Sequence, residues 1–313
     1  MPIAEEGILR DLTKGITLSV FICLISIYIP IIGFFCALFI PLPIIFYHSK
    51  LGRKFGLVIF AATIIAIVFA IQSVSIDLIF FAELLFLGFL LGELLHYDLS
   101  FEKIILYSSC GVLVSGLICL MIFSNIRNIG IYALASEYIA ENLKLAIDIY
   151  KNMGVSEEHI QMISGSMEQI RYVLVGIIPA LIVAFTLLVS WTNLMISKPV
   201  LIKNNLYYPD FVSLNLWKAP EYLVWAVIAS SVMLFFPDKA FKITGLNFLL
   251  VLMVIYFFQG IAIVSYYFEK KKVPRTLKVF LYSLIALQHF IFLFVIGLGF
   301  FDTWLNIRRQ NNT

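Results

Sequence analysis

Apolar runs of about twenty residues, separated by short polar breaks, recur along the whole chain, and such runs cross the hydrocarbon core of a bilayer as α-helices. The pattern predicts spans at 15–29, 31–47, 57–72, 78–96, 104–124, 172–196, 221–236, 246–267 and 279–300. Residues 15–47 are long for one straight span and short for two. Pro30 supplies a break, so a tight hairpin of short helices is expected, with one long kinked helix as the alternative. Between 125 and 171 the pattern changes. Glu137, Glu141, Lys144, Asp148 and Lys151 follow helical spacing and mark one charged stripe, while Leu134, Tyr138, Ile139, Leu145, Ile149 and Tyr150 occupy the other faces. Gly154 followed by Ser156, Glu157 and Glu158 reads as the stop of that helix and the start of another. The expected fold is all-α: a polytopic transmembrane bundle of eight or nine spans with an amphipathic extracytoplasmic segment. That segment reads either as a lid with a solvated face or as a gate.

Composition fixes the solvent. With 62% hydrophobic residues, 13% charged residues and a mean hydropathy of +1.00, the chain lies outside the soluble globular range. The first apolar run continues for over thirty residues without a small-residue cleavage pattern, so no removable signal peptide is expected. The net charge of +3 gives no reason to expect nucleic acid as a partner. Cys23, Cys36, Cys110 and Cys119 all sit in apolar runs, with no metal-ligand spacing, and read as packing residues.

Lys50, Arg53, Lys54, Lys103, Lys198, Lys203, Lys218 and the cluster Lys270, Lys271, Lys272, Arg275 and Lys278 fall on one side of nine spans. By the positive-inside rule that side is the cytoplasm, and it receives the N-terminus of a multi-pass protein of the cell inner (plasma) membrane. Arg308 and Arg309 in the tail argue against this order. The whole chain is expected to form a single integral membrane domain, with N-terminal helices at 1–124, the extracytoplasmic segment at 125–171 and C-terminal helices at 172–313.

Ionisable and amide side chains at membrane depth are the candidate functional residues, because burying them in hydrocarbon is costly. Glu83 and Glu93 share the fourth predicted span, about 80° apart at 100° per residue. Glu93 lies near the cytoplasmic end, and Glu83 lies deeper. Gly88 and Gly92 form a GxxxG about 140° to 180° from Glu83, a close-packing face opposite a carboxylate. Gln259, Gln288 and His289 add polar groups to the last two spans, and Asn193 lies near the inner end of the sixth. Each reads either as an interhelical hydrogen bond or as part of a ligand site. Gly260 next to Gln259 would let a neighbouring backbone approach closely enough to accept from the amide. No nucleophile elbow, HExxH, P-loop or dinucleotide fingerprint is present, so no enzyme activity, cofactor or metal is expected.

The blocks "YPDFVSLNLWKAPEYLVWAVIASS" (208–231), "NFLLVLMVIYFFQGIAIVSYYFEKK" (247–271) and "GLGFFDTWLNIRR" (297–309) resemble, in order and spacing, the YybS-like family of uncharacterised bacterial membrane proteins. That family tends to end in Asp-x-Trp-x-Asp-Phe-Arg; here Asn306 and Ile307 replace the second acid and the aromatic. The first half, with "YIPIIGFFCALFIPLPIIFYHSKLGRKFGL" (28–57), is loosely similar to the substrate-binding subunits of energy-coupling-factor vitamin transporters. That likeness implies small-molecule capture alongside other membrane subunits and an ATPase module. Two functions follow as expectations. One is a solute-binding transport component with Glu83, Gln259, Gln288 and His289 at its pocket. The other is a scaffold that binds partners through its amphipathic segment and loops, surrounded in either case by membrane lipids.

Overall fold

The computed structural model describes residues 2–72, 75–211 and 213–308, and among them the chain is helical with no strand. The helices are α1 (Pro2–Tyr28), α2 (Pro30–Ala37), α3 (Pro41–Leu51), α4 (Arg53–Ile71), α5 (Ile76–Leu94), α6 (Phe101–Arg127) and α7 (Ile131–Asn152). Then follow α8 (Glu157–Gly165), α9 (Met167–Lys203), a 3₁₀ turn (Leu214–Leu216), α10 (Leu223–Met233), α11 (Lys239–Lys270), α12 (Arg275–Leu287) and α13 (His289–Leu305).

Among the described residues, five segments are long and apolar enough to cross a membrane: Ile32–Leu51, Arg53–Ile71, Phe101–Arg127, Met167–Lys203 and Lys239–Lys270. A sixth is added if α12 and α13, bent by 100°, count as one span. The expected count of eight or nine is therefore too high. α10 has 11 residues, about 16 Å of helix against a hydrocarbon core of about 30 Å. The run at 279–300 is interrupted by Gln288, whose extended backbone (φ −101°, ψ 109°) makes the elbow. α5 carries Asp77, Glu83 and Glu93 within 19 residues. In the opposite direction, α9 outruns its predicted span. Its 37 residues extend about 55 Å, more than the hydrocarbon core.

Large apolar side chains face outward, as a bilayer solvent requires: Phe235 is 88% exposed, Phe290 81% and Phe69 76%.

The chain divides into two compact units, Met1–Glu137 with Phe185–Asp210, and Tyr138–Ala184 with Phe211–Thr313. In the first, Ile40, Ile44, Ile59, Leu85, Leu91 and Ile104 are fully buried. α3 and α5 meet at glycines: a Cβ on Gly88 would lie 2.6 Å from the Pro41 carbonyl oxygen, and one on Gly92 would lie 2.9 Å from the His48 ring. Asn193 on α9 donates to the Leu38 carbonyl (2.7 Å), in the break between α2 and α3, and Ser109 and Ser190 hydrogen-bond each other (3.1 Å). These bonds satisfy groups that hydrocarbon cannot.

In the second unit, Asn247 of α11 reaches α9. Its Nδ2 donates to the Gly176 carbonyl (2.8 Å) and its Oδ1 accepts from the Ala180 N–H (3.0 Å). Those two groups are four residues apart, the pair that bond each other in an uninterrupted helix. Pro179 between them has no N–H, which removes one ladder bond at this turn. Asn247→Leu is expected to lower stability by about 1–2 kcal/mol. Reversible unfolding in mixed micelles would measure this, and a variant as stable as wild type would show that the amide bridge contributes nothing.

Candidate functional site

The densest buried polar cluster lies in the second unit, where α11, α13 and the loop after the 3₁₀ turn meet. α13 ends at Leu305, and Asn306 takes a left-handed conformation (φ 42°, ψ 53°), which Asn tolerates better than most residues. The chain reverses there and returns Arg308 to its own helix. Arg308 Nη2 donates to Asp302 Oδ2 (2.8 Å), and the Ile307 N–H donates to Asp302 Oδ1 (2.9 Å). The Gln259 amide donates to Asp302 Oδ2 (3.2 Å), so three donors serve one carboxylate that is fully buried.

The remaining capacity of these groups ties down the loop. Arg308 Nη1 donates to the carbonyls of Asn215 and Trp217, both at 2.8 Å, while Gln259 Oε1 accepts from the Ala219 N–H (3.1 Å). Lys218 donates to Asn306 Oδ1 (2.8 Å), Tyr267 donates to the Ile307 carbonyl (2.8 Å), and Asn215 donates to Glu269. The arrangement is a clasp: it joins two helices, a loop and the returning chain.

Two further polar centres belong to the first unit. Glu83 is half-buried on α5, and Ser115 on α6 donates to its Oε2 (2.6 Å). Cys119, one turn along α6, also hydrogen-bonds to it, and Gly116 leaves the carboxyl room, since an added Cβ would stand 3.6 Å from Glu83 Cδ. Among the described residues no cation pairs with Glu83. A carboxylate in that position is either protonated or paired from outside the chain.

The second centre is His48 on α3, 2% exposed and held between Gly56 and Gly92. Its Nε2 lies 3.1 Å from Glu93 Oε2, and Arg53 lies 3.5 Å from the other oxygen of that carboxylate. Arg53 is well exposed, so Glu93 reaches water through it. Beyond the spans, burial pushes the Tyr208 phenol up, with its hydroxyl donating to the Leu194 carbonyl (2.9 Å).

The residues singled out from the sequence are thus distributed. Glu83 lies in the first unit. Gln259 lies in the second, with both amide ends bonded to the protein. Gln288 and His289 stand exposed at the elbow between α12 and α13. Gly260 meets the backbone of α13 closely, and the neighbouring Gln259 amide donates to a side chain of that helix, Asp302, and not to its backbone. Asp302 and Arg308 were not among the expected site residues. Their signal was an acid inside an apolar run followed six residues later by an arginine.

An all-helical chain with several apolar helices, outward-facing aromatics and polar groups closed on one another is a multi-pass membrane protein. More specifically, the chain belongs to the family described as "Predicted membrane protein (DUF2232)", which matches residues 17–303. It is similar to the "Uncharacterized protein YybS" of Bacillus subtilis (strain 168), 24% identical over 314 residues that cover 96% of this chain and 98% of that protein. The resemblance read from the second half therefore extends over nearly the full length. No solved structure matches the chain.

Proposed function

We propose that this protein is a non-catalytic membrane scaffold that binds partner proteins, with its N-terminus in the cytoplasm. The carrying observation is that Gln259, Asp302 and Arg308, the polar groups best placed to hold a ligand in the second unit, bond one another and the backbone. α7 adds support, because Leu145 and Ile149 form an exposed apolar edge one turn apart beside its charged stripe, and Met153, just past the helix end, is exposed as well. A face of that kind outside the apolar spans is covered by a partner or a membrane surface.

A second reading, a solute-binding transport component working with an ATPase module, is favoured by one group. Glu83 is a half-buried carboxylate at membrane depth with no cation beside it among the described residues, and a solute could fill that role. Gln259, Gln288 and His289 are its other candidates.

Native mass spectrometry of the protein gently extracted from its own membrane separates the two. The scaffold predicts co-extracted polypeptides, reduced about tenfold by Leu145→Glu with Ile149→Glu at unchanged melting temperature. A retained metabolite, lost in Glu83→Ala and kept in the α7 variant, would overturn the scaffold and name a cargo.

A further inference from the structure

A groove of ≈ 750 Å³ runs along α1 and is walled by Tyr47 of α3. Its floor is the outward face of α1, and the character of that face changes in order along the helix. Glu6, Leu9, Arg10, Thr13 and Lys14 line the first turns, Thr17 follows, and Leu18 and Phe21 line the far end, so that every charge lies in the first half. All eight side chains are exposed and follow three- and four-residue steps, so they form one stripe.

The rotation of α1 is fixed from behind. Gly15 packs so closely that an added Cβ would lie 2.8 Å from Ile59 Cδ1 and 3.0 Å from the Tyr47 ring, and Ser19 and Cys23 are fully buried on the same side. The stripe therefore stays outward.

Charge is also sorted. Asp11, which follows Arg10 in sequence, is engaged by Lys50 at 2.7 Å. Arg10 and Lys14 have no ion-pair partner among the described residues, and Glu6, one turn before Arg10, is the groove's only lining carboxylate. Two free cations with a hydroxyl between them, then a second hydroxyl, then apolar surface, within about 16 Å of helix rise from Arg10 to Phe21, follow the polarity of an anionic glycerophospholipid read from phosphate to glycerol to acyl chain. A partner helix would meet two unpaired charges at one end of this stripe, and a free anion would leave its apolar end uncovered.

We propose that the α1 groove is a binding site for an anionic glycerophospholipid, with Arg10, Thr13 and Lys14 at the phosphate, Thr17 at the glycerol level, and Leu18 and Phe21 against an acyl chain. The site is independent of the scaffold reading.

The test is native mass spectrometry of the full chain in detergent, titrated with phosphatidylglycerol or with phosphatidylcholine of the same acyl chains. Retention of the first phosphatidylglycerol is expected at about tenfold lower lipid concentration than phosphatidylcholine. Arg10→Gln with Lys14→Gln abolishes the difference, Arg10→Lys with Lys14→Arg preserves it, and Lys144→Gln with Lys242→Gln, an equal loss of charge elsewhere, also preserves it. Circular dichroism confirms that each variant is folded, and the charge-preserving pair carries the test if the neutral pair is not. Equal retention of both lipids by wild type overturns the site. So does a preference that survives the neutral pair or disappears in the distant control, and so does a photo-crosslinker at Leu18 that captures a polypeptide in cells.

Discussion

Arg308→Met is expected to destabilise the protein by about 3–5 kcal/mol, the usual cost of removing one member of a buried ion pair. The side chains of Asp302 and Arg308 are 0% and 2% exposed, so neither charge is screened by water once its partner is gone. Loss of the guanidinium strands the Asp302 carboxylate and also removes the donor that the Asn215 and Trp217 carbonyls share. Asp302→Leu strands the complementary charge. Combining Asp302→Leu with Arg308→Met removes both charges, and its cost is expected to fall well below the sum of the two single variants. Reversible unfolding in mixed micelles, run as a double-mutant cycle, gives the coupling directly. Additive losses, or an Arg308→Met variant within about 1 kcal/mol of wild type, would mean that the clasp does not hold this corner together.

The helices that could be read from the sequence are those whose apolar runs are uninterrupted. α4, α6 and α11 follow their predicted spans within a few residues at most ends, because hydrophobic length alone specifies them. α9 extends beyond its span at both ends, since Glu168, Arg171, Lys198 and Lys203 look like loop residues by hydropathy yet are good helix formers. The elbow at Gln288 gave no local sign, as neither proline nor glycine marks it. In α5 the helical wheel separates Glu83 from Gly88 and Gly92, and the structure gives the two faces different neighbours: Ser115 on α6 for the carboxylate, Pro41 and His48 on α3 for the glycines. Which residue of α6 meets Glu83 depends on the register between helices, which periodicity does not contain. The clasp was hidden for a related reason. Gln259 stood out alone, but its partner Asp302 needs the left-handed turn at Asn306 to gain Arg308, and the loop contributes through backbone groups that any residue supplies.

The second large effect is expected where α11 and α13 touch backbone to backbone. A Cβ on Gly260 would lie 2.0 Å from the Val295 carbonyl oxygen, and one on Gly299 would lie 2.0 Å from the Tyr256 carbonyl oxygen and 2.8 Å from the Gly260 nitrogen. In each case the obstacle is main chain, so no rotamer change relieves it and the helices must separate. Separation also strains the Gln259 bond to Asp302 and loosens the packing of Tyr256 with Ile296. Gly260→Ala and Gly299→Ala are each expected to cost about 2–3 kcal/mol, net of the roughly 1 kcal/mol that alanine adds to an isolated helix. Gly297 supplies the control on the same helix: nothing stands within 4 Å of its added Cβ, so Gly297→Ala is expected to be neutral or to stabilise by up to about 1 kcal/mol. Because one outward shift of α13 serves both tight positions, Gly260→Ala with Gly299→Ala should cost less than the sum of the single variants. Thermal unfolding of the four variants in one detergent decides the matter. If Gly260→Ala and Gly297→Ala shift the transition equally, helix propensity governs the interface and the close backbone contact does not.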